Sequence, residues 1–540
     1  MKKKMIVSLS ALLFITVVFG LVLVFYKKDN LKTFGVIKHI KTSDKYPLET
    51  NETITWWVEL HSLVQKNYGS LNDTPFAAEL KRQTGVNIEF VHPPRNEANS
   101  RLRLMFESGT TTDIIESAWF TDTERGLSKL IKEGHIIRLN DVIEKVSPNF
   151  KKYLITNPEI EKSIKTPEND YAYYPMMRGD KRLSTFRGFM VRSDLMEKVG
   201  VRQIPTTIDE LESLLYKFKE MNVEIPISIL QNDLIGRDSA SLSGAYGFIT
   251  GFYLEDGIVK FGCYEPKFKE YITLLAKWYK DGLLDKNFTD NDFNRLGEEF
   301  GEGKIAIVYA SAGGHFGAWI PILQQNVVGA DVEPLPYPSL VKGKGPRIGQ
   351  YNGTVDRYGA VISAKCKNIE LAARVLDFGY STAGKKLYNF GIEGISYTMD
   401  DGIPKYTENV LFPNVAEGGT IGGEIARYAR AAYYGPFIQD INYIDQYYQL
   451  PPQKKALEIW SYTDAKDYVL PLMILTEAES SKLASIMENV YAAQAEMATK
   501  FINGQLELND IDMFFIELEN LGIEEAIRIQ QQAYNRYISS

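Results

Sequence analysis

Side chains that commonly carry out enzyme chemistry are few in this sequence or lack the required spacing. The 540 residues include five histidines, at positions 39, 61, 92, 135 and 315, with no HxH or HExxH metal-binding pair. There is no GxSxG nucleophile elbow, and Gly313-Gly314 is not followed by the GK[ST] of a phosphate-binding loop. The 69 acidic residues make chance carboxylate pairs unavoidable, so a glycosidase dyad stays open. The pattern favours a protein that is not an enzyme.

Cysteines and oxygen ligands form no metal-binding pattern either. Cys263 and Cys366 lie about a hundred residues apart and form no CxxC, so they are predicted to be two buried thiols. The run Asp285–Asn291, DKNFTDN, resembles the start of a calcium-binding EF-hand loop. It lacks the Gly at its sixth position and the Glu at its twelfth that such a loop needs. We therefore predict no bound metal and no cofactor.

Composition is that of a soluble globular protein long enough for two or three domains. The net charge of -8 and the absence of a basic stripe argue against a nucleic-acid binder. Aromatic residues are abundant, with 32 Tyr, 27 Phe and 6 Trp. Most aromatic side chains lie in cores, but carbohydrate binders also use some as stacking platforms, so the composition leans weakly towards sugars.

Strand and helix patterns alternate from Thr53 onward. The predicted order is strand, helix, strand, helix, strand, over Thr53–Val58, Phe76–Thr84, Val86–Val91, Arg101–Glu107 and Asp113–Ile115. This order is typical of a mostly parallel sheet, in which ligands bind beyond the carboxyl ends of the strands. Trp119 follows such an end.

A second α/β unit is predicted from Phe186 to Leu230. The apolar run Phe189–Val191 predicts a strand, and the polar residues Arg192–Asp194 predict the cap of a short helix. Thr207 and Glu210 are spaced as a capping box for the next helix. The apolar residues of that helix fall on one face, at Ile208, Leu211, Leu214, Leu215 and Phe218.

The residues of this unit, RSDLMEKVGV followed by PTTIDEL, closely resemble a motif of extracellular solute-binding proteins of bacterial ABC importers. The nearest match is the large sugar-binding family 1 group, the LplA-type lipoproteins. Six further segments of this chain resemble motifs of that family and follow one another in the family's order. They are Tyr171–Pro175, Gly282–Asp285, Phe300–Ala310, Lys367–Ala373, Leu376–Thr407 and Phe501–Tyr537. The resemblance covers nearly the whole chain from about Thr53 to Tyr537.

The resemblance implies an α/β, two-lobed periplasmic-binding-protein-like type 2 fold with a hinged interlobe cleft. Lobe 1 is expected to combine residues 52–180 with 355–435, and lobe 2 to combine 181–354 with 436–540. Strands near 178–188 and 350–358 would cross between the lobes. Many relatives carry a calcium-binding loop where this chain has only Glu220–Val223, whose residues cannot supply the oxygens that such a loop needs.

The N-terminus predicts export. Lysines flank an uncharged span of 22 residues, Met5–Tyr26, which is near the ~20 residues needed to cross a bilayer. No small-residue cleavage site closes it, and the lipid-anchoring cysteine usual in this family is missing. We expect an N-terminal membrane-anchor helix within residues 1–28 and a polar tether over 29–51, with a cleaved signal peptide as the alternative. The rest of the chain would lie at the extracellular face of the membrane.

Ligand-binding candidates follow from their positions after predicted strands, at the two crossings, in motifs of the family, or in a late aromatic wall formed by Tyr433, Tyr434 and Trp460. Sugars present flat C–H faces and dense hydroxyl groups, so aromatic rings and polar side chains are the types needed. The candidates are Glu59, His61, Trp119, Tyr174, Arg187, Ser311, His315, Trp319, Tyr351, Asn352, Glu393, Ser396, Tyr433, Tyr434 and Trp460.

The function implied by the resemblance is capture of a carbohydrate, an oligosaccharide, for delivery to the permease subunits of an ABC transporter. The protein is expected to act as a monomer and to close around its ligand by hinge bending. Three alternatives stay open: a membrane-anchored ligand sensor that signals to a kinase, a peptide-binding protein, and a carbohydrate-active enzyme.

Overall fold

The computed structural model describes residues 45–119, 126–344, 348–414 and 419–539. The predicted anchor Met5–Tyr26 and most of the predicted tether lie outside these ranges. Within them, no helix combines the length and hydrophobicity needed to cross a membrane.

The strands of the described part are β1 (Thr53–Trp57), β2 (Asn87–Val91), β3 (Ile114–Ala118), β4 (Tyr174–Arg178), β5 (Arg187–Arg192), β6 (Ile225–Ser228), β7 (Phe252–Glu255), β8 (Ile258–Phe261), β9 (Ile305–Ser311), β10 (Val332–Leu335), β11 (Val355–Ile362), β12 (Tyr397–Asp400), β13 (Ile403–Tyr406) and β14 (Ile438–Gln439). The α-helices of the described part are Ser62–Gln65, Pro75–Thr84, Ala98–Ser108, Leu127–Lys132, Asn140–Val146, Pro148–Thr156, Pro158–Ile164, Ser193–Lys198, Ile208–Glu220, Gln231–Ile235, Lys267–Lys280, Phe293–Gly301, Gly317–Asn326, Ile369–Phe378, Thr382–Phe390, Glu408–Leu411, Ile421–Tyr428, Ile441–Tyr447, Pro451–Trp460, Ala465–Tyr468, Glu477–Ile502, Ile511–Asn520 and Ile523–Ser539.

A six-stranded sheet has the order β14-β4-β11-β3-β1-β2. β1 runs parallel to β2 and β3, which confirms the sheet predicted from the first strands and helices. The sheet is mostly parallel, as predicted, and β11 is the exception because it is antiparallel to both neighbours. Tyr358, early in β11, pairs with Ala118, the last residue of β3. The chain thus enters β11 at the edge where β3 ends, and β11 runs from there towards the opposite edge of the sheet.

A four-stranded sheet has the order β10-β5-β9-β6, with β5 antiparallel to both β10 and β9. β6 lies parallel to β9 at the edge. The predicted strand Phe189–Val191 forms the middle of β5. The two-stranded hairpins β7-β8 and β12-β13 lie outside both larger sheets.

Helix starts in the second predicted unit differ in detail from the sequence prediction. The Thr207 hydroxyl accepts from the Glu210 amide at 3.2 Å, as a capping box requires, but the Glu210 carboxylate binds the Thr206 amide at 2.8 Å. Asp194 does not cap its helix, because its carboxylate binds the Arg192 guanidinium through contacts of 2.7 and 2.8 Å. The helix Ile208–Glu220 buries the predicted apolar face.

Buried apolar side chains form two contiguous clusters. One surrounds the six-stranded sheet and is built mainly from residues 48–177, 355–388 and 433–438. The other surrounds the four-stranded sheet and includes residues 183–348 together with most of the buried apolar residues from 390 to 526. Residues between Phe390 and Ala431 therefore pack mainly in the second cluster, although the sequence assigned them to lobe 1. The lobe boundaries stay a prediction.

Candidate functional site

A cavity of about 1070 Å³ lies between the carboxyl edge of the six-stranded sheet and elements that belong to the buried cluster around the four-stranded sheet. The sheet contributes the ends of β3 and β4, the start of β11 and the loop after β1. The opposite wall comes from the loop after Gln231–Ile235 and from the helices Glu477–Ile502 and Ile523–Ser539. Ligands bind at such strand ends in open α/β sheets, because loops can vary there without disturbing the core.

Seven of the residues predicted to bind ligand line this cavity: Glu59, His61, Trp119, Tyr351, Asn352, Tyr433 and Tyr434. They come from four separate parts of the sequence. Three of these parts meet because β1, β3 and β11 are neighbours in one sheet, and the fourth, Tyr433 and Tyr434, precedes the edge strand β14.

Trp119 forms part of the cavity wall and is held in one orientation. Its indole Nε1 donates to the Gly359 carbonyl at 2.9 Å, and its amide donates to the Arg357 carbonyl at 3.0 Å. The residue is 5% exposed, so a ligand would touch only a small part of its surface. Trp119 therefore fixes the shape of the wall and offers little free area.

Tyr434 presents a much larger surface. Its ring stacks on Tyr358 with a centroid separation of 4.9 Å and an interplanar angle of 28°. Tyr434 is 46% exposed, whereas Tyr358 is mostly covered. An aromatic face that is supported from behind and open to a cavity is suited to contact the C–H face of a sugar ring.

His61 and Tyr433 form a second parallel pair, with ring centroids 5.0 Å apart and an angle of 13°. The Leu63 amide donates to His61 Nδ1 at 3.3 Å and so starts the short helix Ser62–Gln65. Burial, together with the charge of nearby Arg430, lowers the pKa of His61 to about 4. At neutral pH the imidazole is uncharged, and because Nδ1 accepts, the proton lies on Nε2.

Arg430 lies behind this pair and is neutralised by Glu116. Its Nη2 and Nη1 donate to the two carboxylate oxygens of Glu116 at 2.6 and 3.0 Å, and both side chains are almost fully buried. Burial raises the pKa of Glu116, and the positive charge of Arg430 opposes that rise. A two-bond contact of this kind is among the strongest hydrogen-bonded pairs in proteins.

Two further ion pairs lie along the start of β11. Arg178 donates to Asp356 at 2.6 Å and to the Gly353 carbonyl at 2.8 Å, which fixes the chain as it enters β11. Arg357 lies 3.5 Å from Asp238, and both side chains are about half exposed. Asp238 belongs to the four-stranded side, so this second pair bridges the cavity.

The sequence did not identify the segment Leu470–Leu475, which lines the cavity with apolar side chains. Val469 forms a bridge with Tyr253 of β7, whereas Ile474 is buried in the cluster around the six-stranded sheet. Ser128 Oγ donates to the Leu475 carbonyl at 3.0 Å. The segment therefore crosses from one side of the cavity to the other. An apolar run with an internal proline and no helical period was the available signal.

Three of the other predicted residues make internal contacts outside the cavity lining. Tyr174 is fully buried, with its hydroxyl 2.7 Å from that of Ser147. Arg187 forms an ion pair with Asp233 at 2.7 Å. Trp460 is fully buried and donates from Nε1 to the Leu335 carbonyl at 3.0 Å.

Ser311, His315 and Trp319 form a separate cluster at the end of β9. His315 stacks between Phe293 and Trp319, with centroid distances of 4.3 and 4.8 Å. The Ser311 amide donates to His315 Nδ1 at 3.3 Å. Burial, with the charge of Arg187, lowers the pKa of His315 to about 4. The three predicted residues are close to one another and do not line the cavity.

Glu393 and Ser396 lie at a turn before β12. The Ser396 hydroxyl donates to the Phe390 carbonyl and accepts from the Ile392 amide, both at 2.7 Å. Glu393 forms a bridge with Tyr397. Both residues make contacts that hold this turn and do not line the cavity.

In the described ranges, no group of three or more His, Cys, Asp or Glu side chains is arranged to hold a metal ion. Cys263 and Cys366 are free and buried, as predicted. Burial raises the pKa of both thiols, which makes them unreactive.

Comparison with known proteins identifies relatives over almost the whole chain. The family model for bacterial extracellular solute-binding proteins matches residues 64–386. The fructooligosaccharide ABC transporter substrate-binding protein FusA of Streptococcus pneumoniae is 24% identical over 529 residues, covering 91% of this chain and 92% of that protein.

Solved structures share the fold. The alginate-binding protein AlgQ2, in a crystal structure without calcium, superposes with a TM-score of 0.75 at 23% identity, covering 91% of this chain and 100% of AlgQ2. FusA of S. pneumoniae in complex with kestose gives a TM-score of 0.72 at 22% identity, covering 90% of this chain and all of FusA. The α/β architecture described above is therefore that of solute-binding proteins.

Proposed function

Since this chain belongs to the family of bacterial extracellular solute-binding proteins, we propose that it captures an oligosaccharide in the cavity and delivers it to an ABC importer. The observation that carries the proposal is the cavity itself, with the supported and exposed ring of Tyr434 among polar side chains. The relative FusA is named for fructooligosaccharides, which supports the assignment to carbohydrates.

Cavity size favours a ligand of more than one sugar unit. Drug-sized ligands typically occupy pockets of about 300–1,000 Å³. The volume of about 1070 Å³ lies just above that range. Tyr434 and Tyr351 would contact sugar rings, Trp119 would shape the wall behind them, and Glu59 and Asn352 would bind hydroxyl groups.

The two sheets would act as two lobes that close on the ligand. The lobes would be connected by the crossings at 178–188 and 350–358. The segment Leu470–Leu475 would be a third connection, because it is anchored on both sides of the cavity. A ligand that touches both walls binds the closed arrangement better and so shifts the protein towards it. The closed form would then dock on the permease, with the protein held at the extracellular face of the membrane by the N-terminal segment Met5–Tyr26.

Thermal unfolding of the full-length protein against a panel of oligosaccharides and peptides tests this function. A ligand at 100 times its dissociation constant should stabilise the protein by roughly 2.7 kcal/mol, which raises the melting temperature. We expect such a rise with one class of oligosaccharide and none with peptides. A rise with peptides alone would overturn the carbohydrate assignment.

Recovery of the ligand separates binding from catalysis. The stabilising oligosaccharide is incubated with the protein overnight and analysed by chromatography and mass spectrometry. We expect it to be recovered unchanged. Shortened products, absent from a heat-inactivated sample, would instead indicate a carbohydrate-active enzyme.

A further inference from the structure

Two buried polar atoms in the cavity wall make no hydrogen bond of good geometry with the described residues. They are the hydroxyl of Tyr433 and Nε of Arg430. Tyr433 is 7% and Arg430 1% exposed, and both residues line the cavity. A buried polar group without a partner costs free energy, so native proteins rarely keep one unless it has another use.

Neither atom makes a well-formed hydrogen bond, although the Tyr433 hydroxyl interacts with the Arg430 guanidinium beside it. The bidentate contact with Glu116 uses Nη1 and Nη2 of Arg430 and leaves Nε aside. The Arg430 guanidinium carbon lies 5.2 Å from the Tyr433 ring centroid, so the cation faces the ring. His61 stacks on the same ring and has Nε2–H to donate, because its Nδ1 already accepts from Leu63. This part of the wall is rich in donors.

Charge decides which ligand group fits. The Arg430 charge is already balanced by Glu116 in a buried setting. A ligand carboxylate placed here would be a second negative charge beside Glu116, and both would depend on the one positive charge of Arg430. Two like charges in a buried setting repel each other and lose their hydration, so this arrangement is unfavourable. A sugar hydroxyl or ring oxygen accepts hydrogen bonds without bringing charge.

We propose that Tyr433, Arg430 and His61 form a subsite that binds an uncharged sugar unit through its hydroxyl or ring oxygens, and that this subsite selects neutral oligosaccharides over those built from uronic acids. This inference rests on the proposed function and specifies the substrate class of the same cavity.

The variant Tyr433→Phe tests the role of the hydroxyl. It removes a hydroxyl that makes no well-formed hydrogen bond in the free protein, so the melting temperature without ligand should stay the same or rise. The ligand loses a hydrogen bond, and we expect its affinity, measured by titration calorimetry with a neutral trisaccharide, to fall about tenfold. A melting temperature that falls, or an affinity that is unchanged, would overturn the subsite.

The matched control is Tyr271→Phe. Tyr271 is fully buried, lies outside the cavity lining and donates from its hydroxyl to the Leu234 carbonyl at 2.9 Å. Loss of that satisfied hydrogen bond should lower the melting temperature and leave the affinity unchanged. The two tyrosine variants are therefore expected to give opposite results in the two measurements.

Ligand class is tested with trisaccharides of equal length, one series neutral and one made of uronic acids. Binding of the neutral series at least tenfold more tightly supports the inference, and preference for the uronic acids overturns it while leaving carbohydrate capture in place. Failure of the wild-type protein to bind either series would overturn the proposed function together with the subsite.

Discussion

Arg430 and Glu116 join the late part of the chain to β3 through two hydrogen bonds of 2.6 and 3.0 Å between almost fully buried side chains. Arg430 follows the helix Ile421–Tyr428, and Glu116 lies in the middle of β3. The pair thus fixes the segment that carries Tyr433 and Tyr434 against the six-stranded sheet. The cavity wall depends on this contact.

Replacing Glu116 by Gln should strongly destabilise the protein, because Arg430 would remain buried without its counter-charge. Breaking one partner of a buried pair typically costs about 3–5 kcal/mol of unfolding free energy. The double variant Glu116→Gln with Arg430→Met removes the orphaned charge and should recover much of that loss. Urea unfolding of both variants measures the effect, and a double variant no more stable than the single one would contradict it.

Stability should fall as the pH drops from about 6.5 to 4. His61 and His315 each have a pKa lowered to about 4, mainly by burial, whereas in the unfolded chain a histidine pKa is about 6.5. The unfolded chain therefore takes up protons first, so the stabilisation is complete above pH 6.5 and is lost as the pH falls towards 4. One pKa unit corresponds to about 1.4 kcal/mol, so each histidine accounts for at most roughly 3.5 kcal/mol.

Urea unfolding at several pH values measures this dependence, and the variant His61→Asn checks its source. Asparagine also starts helices well, so it can replace the Nδ1 acceptor at the start of Ser62–Gln65 without adding a titrating group. The pH dependence of H61N should be weaker than that of the wild type. Equal dependence in both proteins would show that His61 does not contribute.

Tyr434→Ala should weaken ligand binding and change folding only modestly. The ring is half exposed on Tyr358, so its removal costs about 1 kcal/mol of stacking. We expect the affinity for oligosaccharide to fall at least tenfold, equivalent to about 1.4 kcal/mol. Phe412→Ala is the control, since Phe412 is also well exposed but does not line the cavity. Equal affinities for the two variants would exclude Tyr434 as a sugar platform.

The ion pair between Arg357 and Asp238 should hold the two walls together in the absence of ligand. Both groups are half exposed, so the pair stabilises folding by no more than about 1 kcal/mol and is screened by salt. Arg357→Gln should increase the radius of gyration of the ligand-free protein, measured by X-ray scattering at low salt. The charge swap Arg357→Asp with Asp238→Arg should reverse the increase.

The control for this measurement is Arg528→Gln, which breaks an exposed pair with Glu525 within one helix. That variant should have the dimensions of the wild type. An Arg357 variant that also matches the wild type would mean that the pair does not restrain the walls.

Local patterns in the sequence predicted the elements well. The spacing of Ile208, Leu211, Leu214 and Phe218 predicts a helix with one buried face, and alternation over Thr53–Val58 predicts β1. These predictions succeed because each depends on neighbours a few residues away. The motifs shared with solute-binding proteins extended the prediction to the α/β fold of that family, which the solved structures confirm.

Contacts between distant parts of the chain were harder to predict. Glu116, Arg357 and Asp238 look like ordinary charged residues in the sequence, and their roles appear only when the two sides of the cavity are brought together. Trp460 shows the opposite problem: an aromatic residue in a late helix was predicted to bind ligand, but its ring lies over β5. A sequence does not reveal which strand faces a given aromatic side chain.

The contact between Trp460 and Gly188 of β5 allows a sharp test of that packing. A Cβ atom added to Gly188 would lie only 2.3 Å from the Trp460 ring, and the ring is fully buried and cannot move aside easily. Gly188→Ala should therefore destabilise the protein by about 1–3 kcal/mol through overpacking.

The same substitution should be much less costly when the ring is smaller. In the background Trp460→Leu, which is itself destabilised by loss of the indole and its hydrogen bond to Leu335, the added methyl group gains space. The two substitutions are then non-additive, with a coupling of roughly 0.5–3 kcal/mol as found for residues in direct contact. Urea unfolding of the wild type, both single variants and the double variant measures this coupling. Additive effects would mean that the indole does not pack on Gly188, and Trp460 would again become a candidate for the cavity wall.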